Sequence, residues 1–469
     1  MCLYRSKSLA GIGLLAFSLS SCVKYHPKPL DPSQLETAYR SRSLTDKGLQ
    51  SFLKTLGPGL QASQLDLQTL TWVALYYHSD VTVAQSHLRA AEAAIVTAGA
   101  KPNPVLDGGA GYNNSDRSRY VFTFAPQFLI ETAGKRKYRI LAAQKEAEAA
   151  RIALDETAWQ VRSRLRTALV DYFSSLRDVE ALRSQESLRA EALRLTERRL
   201  SVGEGSRPEV SAAQSALSTL RLVIEEASGR VAQARASLAA ATGLPLAALD
   251  NREIVWKDYA QVPPAAELSL SKAQRAGLLN RVDLRRLLLE YAAADANLRL
   301  EVARQYPNIT LVPTYAFEDG LSRYVLDGSL TLPIRNRHQG PIAEAEARRE
   351  ELAARFLALQ ASVIGDLERE LEHYRAALAE LREAETRLVT VERSRENATG
   401  RAFEVGEADK LQLTAAQLAR LQAEHSRLDA LRKAQMAWGA LQDAMQQPLE
   451  PDPALPSLSA VAPRKEVQP

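Results

Sequence analysis

The chain has 469 residues, which is enough for two or three ordinary domains and a sizeable core. Charged residues make up 25% of it and aromatic residues only 6%, a composition that favours long helices and coiled coils over a compact enzyme. The formal net charge of +4 is close to balanced for this length. Charge therefore gives no argument for nucleic acid as a partner.

Residues 1–21 have the pattern of a secretory signal peptide, with a positive start and an apolar stretch at 9–19 that is too short to span a bilayer as a helix. The stretch ends in Leu19-Ser-Ser-Cys22, which resembles the lipobox of bacterial lipoproteins. That resemblance implies cleavage before Cys22 and acylation there, for example with palmitate, which would anchor the protein stably. Val23 follows where an inner-membrane lipoprotein typically has Asp, which favours the outer membrane. The alternative is an ordinary signal peptide with an incidental cysteine.

Cys2 would be removed with the signal peptide, so the mature chain would keep one cysteine. A single cysteine excludes a disulfide within the chain and a cluster of thiolate metal ligands.

The rest of the chain is predicted to be mainly helical. Residues 22–66 are expected to form an irregular lipidated lead-in with one short helix, because prolines interrupt them repeatedly. A helical pattern runs from Leu67 to Gly99, and a very long one runs from about Arg136 to Leu200. Those 65 residues would reach roughly 100 Å as one continuous helix.

The next helical pattern repeats its apolar residues strictly every seven positions. The repeated positions are Val210, Leu217, Ile224, Val231 and Leu238. Five heptads without a break are typical of a seam that packs against a neighbouring helix, with alanines between them allowing close approach. A solitary amphipathic helix is the less suitable interpretation.

Two similar stretches, Val202-Gly-Glu204 and Val405-Gly-Glu407, each stand between two long helical patterns and each lead into Ala-Ala-Gln. Glycine can take the left-handed conformation that ends a helix, so each stretch is predicted to be the bend of a helical hairpin. The two bends are 203 residues apart, and other matching positions are 205 or 206 apart. The chain is therefore interpreted as a duplicated unit.

The predicted boundaries follow from this duplication. The first repeat is 67–243, a linker follows at 244–266, the second repeat is 267–447, and a disordered tail occupies 448–469.

Each repeat holds two strands with apolar and polar residues in alternation, at about 104–113, 119–128, 308–317 and 323–332. One interpretation packs the apolar faces on the helices in an α+β core. The other turns the apolar faces toward lipid, because about 9–11 residues suit a tilted membrane strand. In that case Asp107, Thr310, Thr314 and Asp327 would face a water-filled lumen. Four strands cannot close a barrel, so several copies would have to build it together.

The order of lipobox, helix, strand pair, long helix, Val-Gly bend and helix, followed by the same order again, resembles the TolC-like outer-membrane efflux proteins. The two Val-Gly-Glu bends, Pro102-Asn-Pro104, Pro307-Asn-Ile309 and Gly134-Lys-Arg136 carry this resemblance. It implies a homotrimer in which a twelve-stranded β-barrel in the outer-membrane lipid continues into a helical barrel with a long periplasmic part. It also implies an exit duct that works with a periplasmic adaptor and an inner-membrane pump.

In the family the hairpin bends form a periplasmic tip that docks and gates, and acidic residues just past the second bend ring its opening. The resemblance places Gly203, Arg207, Glu209, Gly406, Asp409, Lys410 and Gln412 at this tip. Here the acidic ring is reduced to Asp409, with Glu209 contributing from the first hairpin, which departs from the family pattern. Arg207 and Lys410 beside these acids suggest salt bridges at the tip.

The sequence shows no motif for catalysis or for a cofactor. It has no phosphate-binding loop and no nucleophile elbow, and its six histidines lack metal-ligand spacing. We therefore expect neither an enzyme nor a metal or cofactor site, and no nucleic-acid partner. A periplasmic adaptor or a structural coiled-coil lipoprotein is the alternative to an exit duct.

Overall fold

A computed structural model describes residues 25–56, 65–114, 117–250, 252–264 and 269–449. The predicted signal peptide, the predicted lipidation site Cys22 and residues 450–469 of the predicted tail lie outside these residues. Contacts divide the chain into a small N-terminal unit that ends at Arg42 and a large unit that begins at Ser43.

The small unit holds helix α1 (Pro32–Arg40), which begins where the Asp31 carboxylate accepts the N–H of Ser33 at 2.9 Å. The large unit opens with helix α2 (Lys47–Leu56), which buries Leu49 and Leu53. The expectation of one short helix in the lead-in is thus wrong, since there are two.

The first repeat begins with α3 (Leu67–Tyr77) and α4 (Ser79–Gly99). Strands β1 (Val105–Tyr112) and β2 (Tyr120–Ile130) follow. The repeat ends with α5 (Lys135–Ser201) and α6 (Arg207–Thr242), and a short 3₁₀ helix follows at Leu246–Leu249. Helix α5 is continuous over 67 residues, which corresponds to about 100 Å.

The second repeat has the same order of elements. It contains α7 (Leu270–Asn280), α8 (Val282–Ala303), β3 (Ile309–Glu318), β4 (Leu321–Leu330), α9 (Gln339–Glu383), α10 (Val389–Glu404) and α11 (Lys410–Met445). Its long helix differs from α5, because a π-helical turn at Ala384–Leu388 separates α9 from α10.

All four strands form one antiparallel sheet in the order β1-β2-β3-β4. Between β2 and β3 the pairing leaves out residues 125–127, where the register places Pro126 opposite Pro313. Neither proline has an N–H to donate, so the hydrogen-bond ladder is interrupted at this point.

The helices next to the sheet follow the same order as the strands. Helix α4 packs on α5, α5 packs on α8, and α8 packs on α9. Helices α4 and α9 therefore stand at the two ends of the row, as β1 and β4 stand at the edges of the sheet. None of the helices in the described part of the chain is both long and apolar enough to cross a membrane.

The predicted heptad seam of α6 lies in a helix–helix contact. Helix α6 packs along α5, and Val179, Leu182, Ile224 and Ala227 form a buried cluster between them. Every predicted seam position of α6 is buried or half-buried. The packing therefore agrees with the predicted seam against a neighbouring helix.

The two repeats are joined by a polar contact between α5 and α11. The buried Arg166 guanidinium donates to the backbone oxygen of Gln435 at 2.8 Å and to its side-chain oxygen at 3.0 Å. The Gln435 amide in turn donates to the backbone oxygen of Tyr259 at 2.7 Å. Buried polar groups need such partners, and these ones hold residues 252–264 of the linker against both repeats.

Candidate functional site

The register of the sheet determines which strand residues share a face, because directly opposed residues in an antiparallel pair point to the same side. The first face, which we call the apolar face, is rich in large side chains. It contains Leu106, Tyr112, Tyr120, Phe122, Phe124, Phe128, Ile130, Ile309, Leu311, Tyr315, Phe317, Tyr324, Leu326 and Leu330. Most of these large side chains are exposed, including Leu106 at 58% and Leu326 at 71%.

Four tyrosines on the apolar face lie near the hairpin turns. Tyr112 is paired with Tyr120, and their ring centroids are 6.2 Å apart. Tyr315 is paired with Tyr324, with 5.2 Å between the ring centroids. Such a band of tyrosines is typical of residues at a membrane interface.

The opposite face, which we call the polar face, carries mostly small and polar side chains. Six apolar residues also lie on it, namely Val105, Val121, Leu129, Val312, Leu321 and Val325. The register brings together on it all four residues that the sequence assigned to a lumen, Asp107, Thr310, Thr314 and Asp327. On the same face Gln127 donates a hydrogen bond from its amide to the Asp107 carboxylate.

A buried lysine lies where the sheet joins the helices. The Lys135 ammonium donates to the backbone oxygen of Tyr306 at 2.5 Å and also to the side-chain oxygen of Asn308. Burial lowers the pKa of Lys135, and the nearby Glu131 opposes this shift. Lys135 thus connects the end of β2 in the first repeat to the start of β3 in the second.

The two hairpin bends have the same backbone structure. Gly203 has a φ of +83° and Gly406 a φ of +81°. Gly203 donates to the Leu200 oxygen at 3.1 Å, and the next residue, Glu204, donates to the Arg199 oxygen at 2.8 Å. This pair of bonds is the Schellman motif, which uses oxygens that the helix end would otherwise leave without partners. Gly406 and Glu407 make the equivalent two bonds.

Both helices that follow the bends begin with a capping box. The Glu209 carboxylate accepts the Ser206 N–H at 3.2 Å, while the Ser206 hydroxyl accepts the Glu209 N–H at 3.4 Å. In the second bend the Asp409 carboxylate accepts the Gln412 N–H at 2.7 Å, and the Gln412 side chain accepts the Asp409 N–H at 2.9 Å. Glu209, Asp409 and Gln412 therefore all hold helix starts.

The two basic residues at the bends do not form the salt bridges that the sequence suggested. Among the described residues, neither Arg207 nor Lys410 lies within 4 Å of a carboxylate. The Lys410 ammonium instead lies over the Phe403 ring, 5.5 Å from its centroid, in a cation–π contact. The reason is local, because Glu209 and Asp409 turn toward the backbone of their own helix starts.

Two arginines lie on the polar face, and the sequence-based prediction of lumen residues did not include them. Arg323 lies directly opposite Ala316, and the Arg119 oxygen accepts the N–H of Asn113 beyond the last pair of β1 and β2. Two-residue alternation along β4 places Arg323 on the polar face with Asp107 and Asp327. Arg119 lies one residue before β2, and the same alternation, continued by its bond to Asn113, places it on this face too. Within the described residues, no group of three or more His, Cys, Asp or Glu side chains could hold a metal ion.

Comparison with known proteins supports this architecture. Residues 73–244, which cover most of the first repeat, match the model of the family described as outer membrane efflux protein. No curated protein sequence matches the chain significantly.

Several solved structures have the same fold. The outer membrane protein VceC from Vibrio cholerae is 17% identical, with a TM-score of 0.64 over 81% of this chain and 95% of its own. The outer membrane channel CmeC from Campylobacter jejuni is 15% identical, with a TM-score of 0.64 over 81% of this chain and 85% of its own. The outer membrane channel MtrE from Neisseria gonorrhoeae is 16% identical, with a TM-score of 0.63 over 81% of this chain and 88% of its own.

The duplicated helix, strand-pair and hairpin units, the open antiparallel sheet and these similarities lead to one assignment. The first repeat matches the outer membrane efflux protein family, and the chain has the fold of the TolC-like outer-membrane channels.

Proposed function

We propose that this protein is the outer-membrane exit duct of a tripartite export system, which passively conducts substrates from a periplasmic tip to the exterior. The observation that carries the proposal is a four-stranded sheet with an exposed apolar face, a polar face and two free edges within the chain. Lipid can accept the apolar face, but it does not tolerate an open sheet edge. The strands therefore need partners from other copies of the chain.

A homotrimer satisfies this need. The free edges belong to different strands, β1 and β4, so copies would pair head to tail and close into a ring. Three copies would supply twelve strands, and the polar face with Asp107, Thr310, Thr314 and Asp327 would line the lumen. The row α4-α5-α8-α9 has the same order as the strands, so it would close in the same sense below the barrel.

The two hairpin bends would form the periplasmic tip that docks to an adaptor and, through it, to an inner-membrane pump. Gly203, Arg207, Gly406 and Lys410 would lie at its surface, and all four are exposed in the chain. Acylation at Cys22 would add a lipid anchor in the outer membrane. This function requires no catalysis from the chain.

The assembly is tested by purifying the full-length protein in detergent and comparing heated with unheated samples on native gels. We expect a trimer that requires detergent and dissociates on heating. A monomer that stays soluble without detergent would contradict the proposal and would favour a periplasmic adaptor or a structural lipoprotein.

The role of the bends is tested with two substitutions at Gly203. Proline cannot adopt the φ of +83° and cannot donate the bond to Leu200, so Gly203→Pro should break the bend. Asparagine tolerates the left-handed conformation, so Gly203→Asn is the matched control. We expect both variants to form trimers and only the proline variant to lose export. Normal export by Gly203→Pro would mean that this bend is not the docking tip.

The partner is tested by photo-crosslinking from the bends. Glu204 and Glu407 are equivalent exposed positions that take no part in either capping box, so a crosslinking amino acid there leaves the helix starts intact. Gln233, an exposed position about 40 Å up helix α6, provides the control. Capture of a periplasmic adaptor from the bends but not from Gln233 would support tip docking, and equal capture from all three would contradict it.

A further inference from the structure

We propose that Arg119 and Arg323 form a cationic ring in the outer mouth of the lumen, which favours anionic over cationic solutes as they leave. The inference rests on the proposed trimeric duct, because it takes the polar face of the sheet as the lumen wall. It adds a class of solute, namely anions. It also adds a place where solutes are selected, at the end of the fold opposite to the hairpin bends.

The register gives the position of Arg323. Gly109, Thr123, Ala316 and Arg323 form one row of directly opposed residues across all four strands. The other three members of the row are small, and a Cβ added at Gly109 would meet no atom within 4 Å. Arg323 is thus the one long side chain of its row, and it has room to extend over the polar face.

Arg119 lies nearer the turn between β1 and β2. Its backbone oxygen accepts the N–H of Asn113 at 3.0 Å, which continues the pairing one step past Tyr112 and Tyr120. Its position in the alternation places it on the same face as Thr123. Arg119 and Arg323 are both exposed.

Few acidic groups oppose these arginines. Glu318, which pairs with Leu321, lies on the polar face between the levels of the two arginines. Asp319 is in the turn, where its carboxylate accepts a hydrogen bond from the Asn113 amide at 3.3 Å. Among the described residues, no carboxylate lies within 4 Å of the Arg119 or Arg323 guanidinium. Within the described part of the chain, each copy therefore has two arginines and Glu318 on this part of the polar face, with Asp319 in the adjoining turn.

The acidic residues of the polar face lie deeper. Asp107 is one row below Arg323, opposite Ala125, and Asp327 is one row below that, opposite Val312. Rows on the same face are about 7 Å apart along a strand. A solute that moves outward would therefore pass an acidic level first and the arginine level last.

The test uses a reporter thiol at Ala316, which is small and lies directly opposite Arg323. Ala316→Cys is made in the full-length protein, and intact outer membranes are treated from outside with anionic or cationic methanethiosulfonate. Charges about 7 Å apart in water change the local concentration of a monovalent ion by about threefold. The ratio of anionic to cationic reaction rates should therefore fall about threefold or more when Arg323→Gln is added.

Three further variants and a salt condition keep the test specific. Arg119→Gln should lower the same ratio, Arg323→Lys should preserve it, and Arg335→Gln, which changes a charge beyond the other end of β4, should leave it unchanged. About 1 M salt should reduce the preference without any substitution, because exposed charges are then screened within about 3 Å.

The outcomes separate this inference from the proposed function. A thiol that reacts with both reagents without a charge preference would overturn the arginine ring and leave the lumen intact. A thiol that reacts with neither water-soluble reagent would mean that the polar face does not line a lumen, which would overturn both. If Arg323→Gln fails to assemble, the Arg119→Gln variant and the salt dependence decide.

Discussion

At the scale of single residues, Asp178 on α5 shows how the helix seam affects charge. Burial raises the pKa of its carboxyl above the ordinary value of 3.8. The charges of His425, Arg230 and Arg432 oppose this rise, while Asp429 adds to it. His425 is near enough for its Nε2 to lie 3.7 Å from an Asp178 oxygen. Burial outweighs these neighbours, so the ionised carboxylate is disfavoured in the folded chain.

This gives a prediction about pH. A carboxyl whose pKa is raised by folding contributes stability below its unfolded pKa, and this contribution is lost as pH rises through the folded pKa. Asp178→Asn removes that loss, so the melting temperature of the variant relative to the wild type should increase as pH rises from about 4 to 7. Thermal unfolding of the purified protein in detergent measures this. Glu225→Gln, at an exposed position of α6, is the control, and an equal pH effect there would contradict the prediction.

A second prediction concerns the end of α6 at Gly243. This residue has a φ of +71°, and a Cβ there would lie 2.9 Å from the carbonyl carbon of Tyr77. Gly243→Ala should therefore lower stability by about 1–2 kcal/mol or more. Gly229, inside α6, has open space around it, so Gly229→Ala should raise stability by about 0.5–1 kcal/mol. Melting temperatures that shift in the same direction for both variants would contradict this account.

At the scale of elements, the two hairpins share their bends but differ in their long helices. The Schellman motif and the capping box appear in both bends at matching positions. Helix α5 is continuous, whereas the π-helical turn at Ala384–Leu388 divides its counterpart. Such turns occur frequently at functional sites. Of the two hairpins, only the second has such a turn in its described long helix, so it is the more suitable candidate for a conformational change.

A further prediction at the scale of elements concerns Asp409, which caps the start of α11. If its role is to cap α11, Asp409→Asn should keep the cap, and Asp409→Ala should lose about 0.5–2 kcal/mol of stability. If its charge also gates the tip, Asp409→Asn should change single-channel conductance in planar bilayers without lowering the melting temperature. A neutral effect of Asp409→Ala on melting would contradict the capping role seen in the structure.

At the scale of the whole molecule, the sheet presents very different faces to its surroundings. Adjacent residues of β4, Val325 and Leu326, point to the polar and apolar faces respectively. They are 38% and 71% exposed. A membrane duct requires the apolar face to meet lipid, whereas in a periplasmic adaptor or a structural lipoprotein both faces would lie outside the bilayer.

Leu326→Arg and Val325→Arg form a matched pair for this question. If the apolar face meets lipid, an arginine at 326 should cost about 2–4 kcal/mol per copy near the bilayer centre and reduce trimer assembly in the membrane. An arginine at 325 would face the lumen and should be tolerated. The amount of heat-sensitive trimer in purified outer membranes gives the answer, and equal assembly of both variants would contradict the lipid-facing assignment.

Local patterns in the sequence predicted part of this structure. Two-residue alternation predicted the faces of the strands, and Gly203 and Gly406 marked the bends, because both signals depend only on neighbouring residues. Breaks such as the one at His78, between α3 and α4, depend on how the chain packs and were missed. The packing of the linker was not predicted either. Its residues Leu249 and Tyr259 are buried against the helices of the repeats.

The roles of Glu209 and Asp409 at the tip were assigned from the resemblance and stay a prediction, whereas the structure shows that both side chains cap helix starts. Their spacing to Ser206 and Gln412 is a capping-box signal that was present in the sequence. The pairing of β2 with β3 could not be predicted from neighbouring residues. It joins strands that are far apart in the chain, and only the folded structure reveals its register.

That pairing has a consequence for how the protein folds. Each hairpin joins residues close in sequence, such as Val105 and Gln127, whereas the contact between β2 and β3 joins Ile130 to Ile309. Contacts between distant residues require the closure of long loops and form slowly. We therefore expect the hairpins to form first and the β2–β3 contact later, and the pairing of separate chains to depend on concentration. The opposed prolines Pro126 and Pro313 lie at that later contact, which has fewer paired residues than either hairpin.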